Sequence, residues 1–269
     1  MVDAVRAWHP EVPLVQEVLH ATFAHHAYPA HTHDSWTVLL IDAGAVAYDL
    51  DGTGYEAAPT SVTLLPPHVP HDGRSAVRGE SFRKRVLYLD PAWLSPRTAT
   101  VAAAAPTLHD ARAVVAARHV HAALRSPADT MAVEHGIHEL RELARAHLDR
   151  LPSTAHDVPL ARRLRELLDG RLTESLTIAE AARTLGAHPN HLMRAFSRAY
   201  GIPPHRYVTG RRVDLARRLL LNGRTPAAAA VEAGFHDQSH LTRHFRKVLG
   251  TTPAAFVGRG RVAADASAR

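Results

Sequence analysis

The 269-residue sequence predicts an α+β protein of two domains, a small β-barrel with following helices and then an all-α domain, and three observations carry that prediction. Between residue 20 and about residue 90, short apolar runs alternate with turn residues. From Trp93 the composition shifts to Ala, Leu, Arg, Glu and His, and beyond residue 158 a helical pattern occurs twice at a fixed spacing. A chain of this length can bury two separate cores.

The apolar runs at 37–41, 61–65 and 85–89 are separated by turn signals at 42–44, 51–54, 66–67 and 72–73. Short strands at such spacing favour a small barrel or sandwich. In 131–148, Val133, Ile137, Leu140, Ala144 and Leu148 recur at helical spacing and predict one helix with an apolar stripe. The polar, Pro-containing stretch at 151–158 reads as a linker. Domains are therefore expected at 1–150, with the barrel at about 10–92, and at 159–262.

The helical part contains an internal repeat. His191, Leu192, Arg194, Phe196, Gly201, Pro204, Tyr207 and Val208 recur, in order and 49 positions later, as His240, Leu241, Arg243, Phe245, Gly250, Pro253, Phe256 and Val257. Upstream of each copy lies a short helix and a tight turn. Residues 178–186 end at Gly186, suited to a left-handed cap, and a new helix starts near Pro189 and Asn190. Residues 226–233 end at Gly234, and Asp237 stands where an N-cap opens the next helix. Two short helices joined in this way form a helix-turn-helix, whose second helix enters the major groove of DNA.

Periodicity assigns the faces of those second helices. Leu192 with Phe196, and Leu241 with Phe245, are i, i+4 pairs and should point inward. The opposite stripes are Asn190, Met193, Arg194 and Ser197 in the first, and Ser239, Thr242, Arg243 and Arg246 in the second, with Gln238 at its exposed start. Asn and Gln can pair with adenine, Arg with guanine, and Met193 can meet a thymine methyl. Arg198, Arg206, Arg211, Arg217, Arg218 and Lys247 are expected to serve phosphates.

Charge agrees with this reading. Residues 1–154 carry 13 Lys and Arg against 17 Asp and Glu, whereas residues 155–269 carry 19 against 9, a net of +10. A basic half joined to a slightly acidic one suits a polyanion-binding module attached to something else. Thirty of the 32 cations are Arg, which reflects residue choice but not the asymmetry. With no cysteine, disulfides, thiolate metal sites and thiol nucleophiles are excluded. No apolar run has the length of a membrane span and the first residues do not read as a secretion signal, so a cytoplasmic protein with no membrane partner is expected.

Residues 158–259 resemble the DNA-binding domain of the AraC/XylS family of transcriptional regulators. The resemblance rests on Gly234, Phe235, Asp237, Gln238, Ser239, Leu241, Arg243, Phe245, Gly250 and Pro253, which follow that family's downstream signature. It implies two helix-turn-helix modules bridged by a long helix, here 204–221, that face successive major grooves ~34 Å apart. Pro226 and Ala229 stand where larger aliphatics are usual, and His240 with Leu241 where an aromatic pair is common. The segments 28–36 and 66–71 resemble the cupin-type sensor of many such regulators. That likeness places His31, His33 and His71 as in metal-binding cupins, but the glutamate position falls on Thr37 or Val38. A metal-free pocket lined by His31, His33, Trp36, His71 and Tyr88, binding a small-molecule effector, is the expectation, with no metal and no cofactor.

The resemblance implies a regulator that binds double-stranded DNA, with homodimerisation, and contact with RNA polymerase if it activates. It is not expected to be an enzyme. A metal-dependent cupin enzyme fused to a DNA-binding domain and a ligand-independent DNA-binding protein are the alternatives. An alkyl-accepting repair protein would need the cysteine that is missing.

Overall fold

A computed structural model describes residues 4–24, 26–96, 98–125, 129–150 and 159–257. The expected linker at 151–158 and the last residues of the expected second domain, 258–262, lie outside them.

The N-terminal region has the strands β1 (Ala4–Trp8), β2 (Val15–Phe23), β3 (Tyr28–His31), β4 (Trp36–Ala43), β5 (Val46–Leu50), β6 (Thr53–Ala57), β7 (Val62–Leu65), β8 (His71–Ser75) and β9 (Phe82–Leu89), and a short β10 (Thr107–Leu108). Every pairing is antiparallel. The expected barrel takes a two-sheet form, ordered β1-β2-β9-β4-β7-β10 and β3-β8-β5-β6, with no ladder joining the sheets among the described residues. The chain passes from one sheet to the other at Gly44, in the left-handed region at φ 71°. A Cβ there would come within 2.7 Å of the Ser81 carbonyl oxygen, so only glycine fits.

Strand alternation gives the large sheet two buried faces. Leu19, Ala21, Phe23, Leu39, Ile41, Phe82, Val86 and Tyr88 belong to one core; Val18, Trp36, Val38, Leu40, Leu87 and Leu89 belong to the other. The second face is covered by α1 (Thr98–Ala104), α2 (Ala111–Ala123) and α3 (Thr130–Leu148). The stripe expected on 131–148 is buried on α3, and Gly136 lets that helix close on α2, since a Cβ there would come 2.5 Å from a Val120 methyl.

The C-terminal region comprises α4 (Pro159–Gly170), α5 (Ile178–Leu185), α6 (Pro189–Tyr200), α7 (Pro204–Leu221), α8 (Pro226–Glu232) and α9 (Gln238–Leu249). Local chemistry fixes their ends as the sequence indicates. Thr177 and Glu180 form a reciprocal capping box on α5, Gly186 closes it at φ 63°, and Pro189 occupies the first turn of α6. Thr225 caps α8 and Asp237 caps α9 by accepting from the His240 amide. Leu192, Phe196, Leu241 and Phe245 are all fully buried.

The first face of the large sheet meets the helical region. Phe235, Leu241, Phe245, Leu249 and Phe256 share one core with Phe23, Tyr28 and Phe82. Gly210 brings α7 against β3, where a Cβ would lie 3.4 Å from the His31 Cβ, and Gly250 lies against the Phe23 and His26 rings.

Candidate functional site

Two sets of side chains carry chemistry, one on the helix-turn-helix units and one where the sheets meet α7. On α6, Asn190, Met193 and Arg194 are exposed and Ser197 is half-buried. On α9, Gln238, Ser239, Arg243 and Arg246 are exposed and Thr242 is half-buried. The two stripes thus lie opposite their inward Leu and Phe at the same phase. Arg194 Nε donates to the Asn190 carbonyl at 3.3 Å, which lays that side chain along its own helix.

Of the expected phosphate ligands, Arg198, Arg206 and Lys247 are exposed. The structure corrects the other three. Arg211 and Arg217 are buried and Arg218 is half-buried, because α7 turns them toward the β-rich region. Arg217 Nε lies 2.7 Å from Glu17 Oε2, and its Nη2 donates to Asp214 Oδ1 at 2.9 Å. Arg211 reaches Asp34, Asp169 and Asp214 at 3.2–3.5 Å, and Arg218 pairs with Asp34. A buried arginine held by carboxylates is not available to a phosphate.

Beside this network sit the three histidines. His31, His33 and His71 come from β3, the following turn and β8, all are buried, and their candidate ligand atoms lie within 4.8 Å of one another. His31 Nδ1 lies 2.8 Å from the Pro29 carbonyl oxygen, His71 Nδ1 3.1 Å from that of Val69, and His33 Nδ1 3.2 Å from Asp214 Oδ1. Burial lowers the pKa of all three, His71 to about 4, so the rings are neutral near pH 7. Asp214 stays ionised: burial opposes its charge, but Arg217, Arg218 and Arg211 outweigh that and hold its carboxyl below the usual range.

The rings line a cavity of about 40 Å³ with Thr37, Tyr28, Lys84, Tyr88 and Leu249 of α9 among its walls. Tyr88 is where the sequence puts it, its ring 5.0 Å from that of His33. Trp36 is a correction. It lies on the opposite face of β4 and packs edge-on against Trp93 with ring centroids 6.2 Å apart. Strand period already separates Trp36 from Thr37, so this was readable once β4 was placed. Asp214, Glu17 and Lys84 were missed; an Asp flanked by arginines on α7 was the available signal. A wider cleft of about 480 Å³ is lined by residues of β1, β2, β9 and β4, but Asp42 there is paired with Arg85.

Comparison with known proteins covers both regions that carry these sets. Residues 13–141 match a family described as the AraC-like ligand binding domain, and residues 181–259 match one described as a helix-turn-helix domain. The chain is 24% identical over 227 residues, 80% of this chain and 81% of the other, to the uncharacterized HTH-type transcriptional regulator YbfI of Bacillus subtilis. It is 32% identical over 93 residues, 34% of each chain, to the virulence regulon transcriptional activator VirF of Yersinia enterocolitica. Its fold is similar to that of ToxT from Vibrio cholerae, with a TM-score of 0.59 at 13% identity over 96% of this chain and 97% of that one. A further ToxT structure, with bound unsaturated fatty acid, matches at a TM-score of 0.58 and 12% identity, over 95% of this chain and 94% of that one. Among the described residues no helix is long and apolar enough to cross a membrane.

Proposed function

We propose, since this chain belongs to the AraC family of transcriptional regulators, that α6 and α9 read DNA sequence and that the histidine cavity receives the signal controlling them. The observation that carries the reading is the pair of polar stripes, repeated at one phase on helices whose opposite faces are fully buried. In it, Asn190, Met193, Arg194 and Ser197 face one major groove, and Gln238, Ser239, Thr242, Arg243 and Arg246 the next, while Arg198, Arg206 and Lys247 contact phosphates. Residues 1–150 form the sensing domain, 151–158 the linker and 159–262 the DNA-binding domain. Homodimerisation belongs to the same reading, as does contact with RNA polymerase if the protein activates.

The effector site is that of His31, His33, His71 and Tyr88. The ToxT structure named above holds a fatty acid; this cavity, at about 40 Å³, is roughly a tenth of the smallest ordinary small-molecule pocket, so its occupant is ion-sized. The interface network gives the signal a route, because Asp214 touches both His33 and Arg217.

The test is DNA binding by the full chain, with selection from random duplexes followed by a salt series. A preferred motif is expected, with log K falling steeply against log salt. Binding with no preferred motif, or with a flat salt dependence, contradicts the proposal.

A further inference from the structure

The surroundings of the three imidazoles assign their hydrogens. The groups facing each Nδ1, two backbone carbonyls and the Asp214 carboxylate, can only accept. Each Nδ1 therefore carries the proton, and in the neutral ring Nε2 is left as a lone pair. The three rings line one cavity of about 40 Å³ with one candidate ligand nitrogen each within 4.8 Å of the others, and lone pairs brought that close repel one another unless an electron-deficient species lies between them. An anion is disfavoured by the same lone pairs. An organic molecule has no room, whereas an ion with a water does. Tethering of the second ring nitrogen to a carbonyl or carboxylate is also how proteins orient metal-ligating histidines and raise their basicity.

We propose that His31, His33 and His71 bind one late first-row divalent ion, with Zn²⁺ as the reference, and that Asp214 on α7 makes its presence felt by the helix joining the two helix-turn-helix units. The binding half stands on the cavity alone; the signalling half rests on the DNA-binding reading above.

Three neutral imidazoles with a position open to water form a complete ligand set for such an ion, so the missing glutamate does not forbid it. Thr37 lines the same cavity, and its buried Oγ1 has no hydrogen-bond partner among the described residues. It can hold the ion's water. Lys84 is the one Lys or Arg among the described residues of the cavity wall, which also contains Asp72, and its ammonium is held 4.0 Å from the centre of the Tyr28 ring. This departs from the metal-free role expected when the carboxylate is lost. The new element is the second shell: two of the three tethers come from the β-rich region, but the third comes from α7, so a metal here spans both regions.

The test uses the full-length protein, stripped with a chelator, titrated with ZnCl₂ and assayed for bound metal, with DNA affinity measured on the same samples. One tight equivalent per chain is expected. His71→Ala, which touches none of the arginine network, is expected to lose that equivalent while keeping the wild-type circular dichroism. Asp214→Asn is expected to weaken binding by about 10–100-fold. DNA affinity is expected to differ between stripped and loaded wild-type protein and not in His71→Ala. Failure of Zn²⁺, Ni²⁺, Co²⁺ and Mn²⁺ alike to bind stoichiometrically, or retention of the equivalent by His71→Ala, overturns the site. Metal binding with unchanged DNA affinity overturns its coupling to α7. Metal binding without any DNA binding overturns the regulatory reading and leaves the site standing.

Discussion

The two helix-turn-helix units are copies of one sequence pattern held in different surroundings. The first, α5 and α6, packs with α4 and the start of α7 in a core of its own, built on Leu164, Ala181, Leu192, Phe196 and Tyr207. The second, α8 and α9, has no separate core: Leu241, Phe245 and Leu249 are continuous with Phe23, Tyr28 and Phe82 of the sheets. The first unit's link to the β-rich region is largely polar, with Tyr207 donating to Asp169 at 2.8 Å and His68 lying 3.8 Å from the same carboxylate. The second unit's link is apolar. Identical local rules thus yield one unit with a core of its own and one whose core is continuous with that of the sheets.

The largest effect that sharpens this contrast comes from the equivalent phenylalanines. Phe196→Ala and Phe245→Ala each remove a fully buried ring, at a cost of about 3–5 kcal/mol. Amide exchange is expected to separate them: Phe245→Ala loosens β2 and β9 along with α9, and Phe196→Ala loosens only α4 to α7. Loss of protection in the β-strands after Phe196→Ala would break the comparison.

Arg217→Ala leaves Glu17 without its cation in the interface, while Asp214 keeps Arg211 and Arg218, and is expected to destabilise the full chain by about 3–5 kcal/mol in denaturant titration. Affinity for DNA per folded molecule is expected to survive it, and uniform weakening on all sequences would restore that arginine to the phosphate ligands.

Caps probe the units at a smaller scale. Thr177→Ala and Thr225→Ala each remove an N-cap hydroxyl and should each cost about 1 kcal/mol, the first somewhat more because the Thr177 hydroxyl also donates to Glu180 in the capping box. A larger cost for Thr225→Ala than for Thr177→Ala would show that tertiary surroundings reach even the helix ends.

The smallest effect is the share of the pH dependence that the first unit's polar link contributes. Burial, aided by the Arg211 cation, lowers His68 to about 4. The unfolded ring takes up its proton near pH 6.5. The unfolded state therefore gains the proton first, and stability falls as pH drops from about 6.5 to about 4. Denaturation midpoints at pH 7 and 5 are expected to differ less in His68→Gln than in wild type.

Much of this was legible in the sequence, because it is written locally. The repeat, Gly186, Pro189, Asp237 and the stripe of α3 are short-range signals, and each sits where its own chemistry puts it. The histidine cluster was legible through the likeness to cupin-type sensors. What escaped was set by contacts distant in the chain. Arg217 reads as an exposed cation until its partner Glu17, 200 positions away, is known. The separation of the strands into two sheets and the merging of the second unit's core with them are likewise products of tertiary packing.

The central claim is that α6 and α9 read bases, and selection of duplexes by full-length protein with Arg194→Ala or Arg243→Ala tests it most directly. Each variant is expected to lose ~1–3 kcal/mol of discrimination at one position of the motif, the two positions lying about one helical turn apart. Equal loss of affinity for every sequence with the motif unchanged, in either variant, would contradict the account.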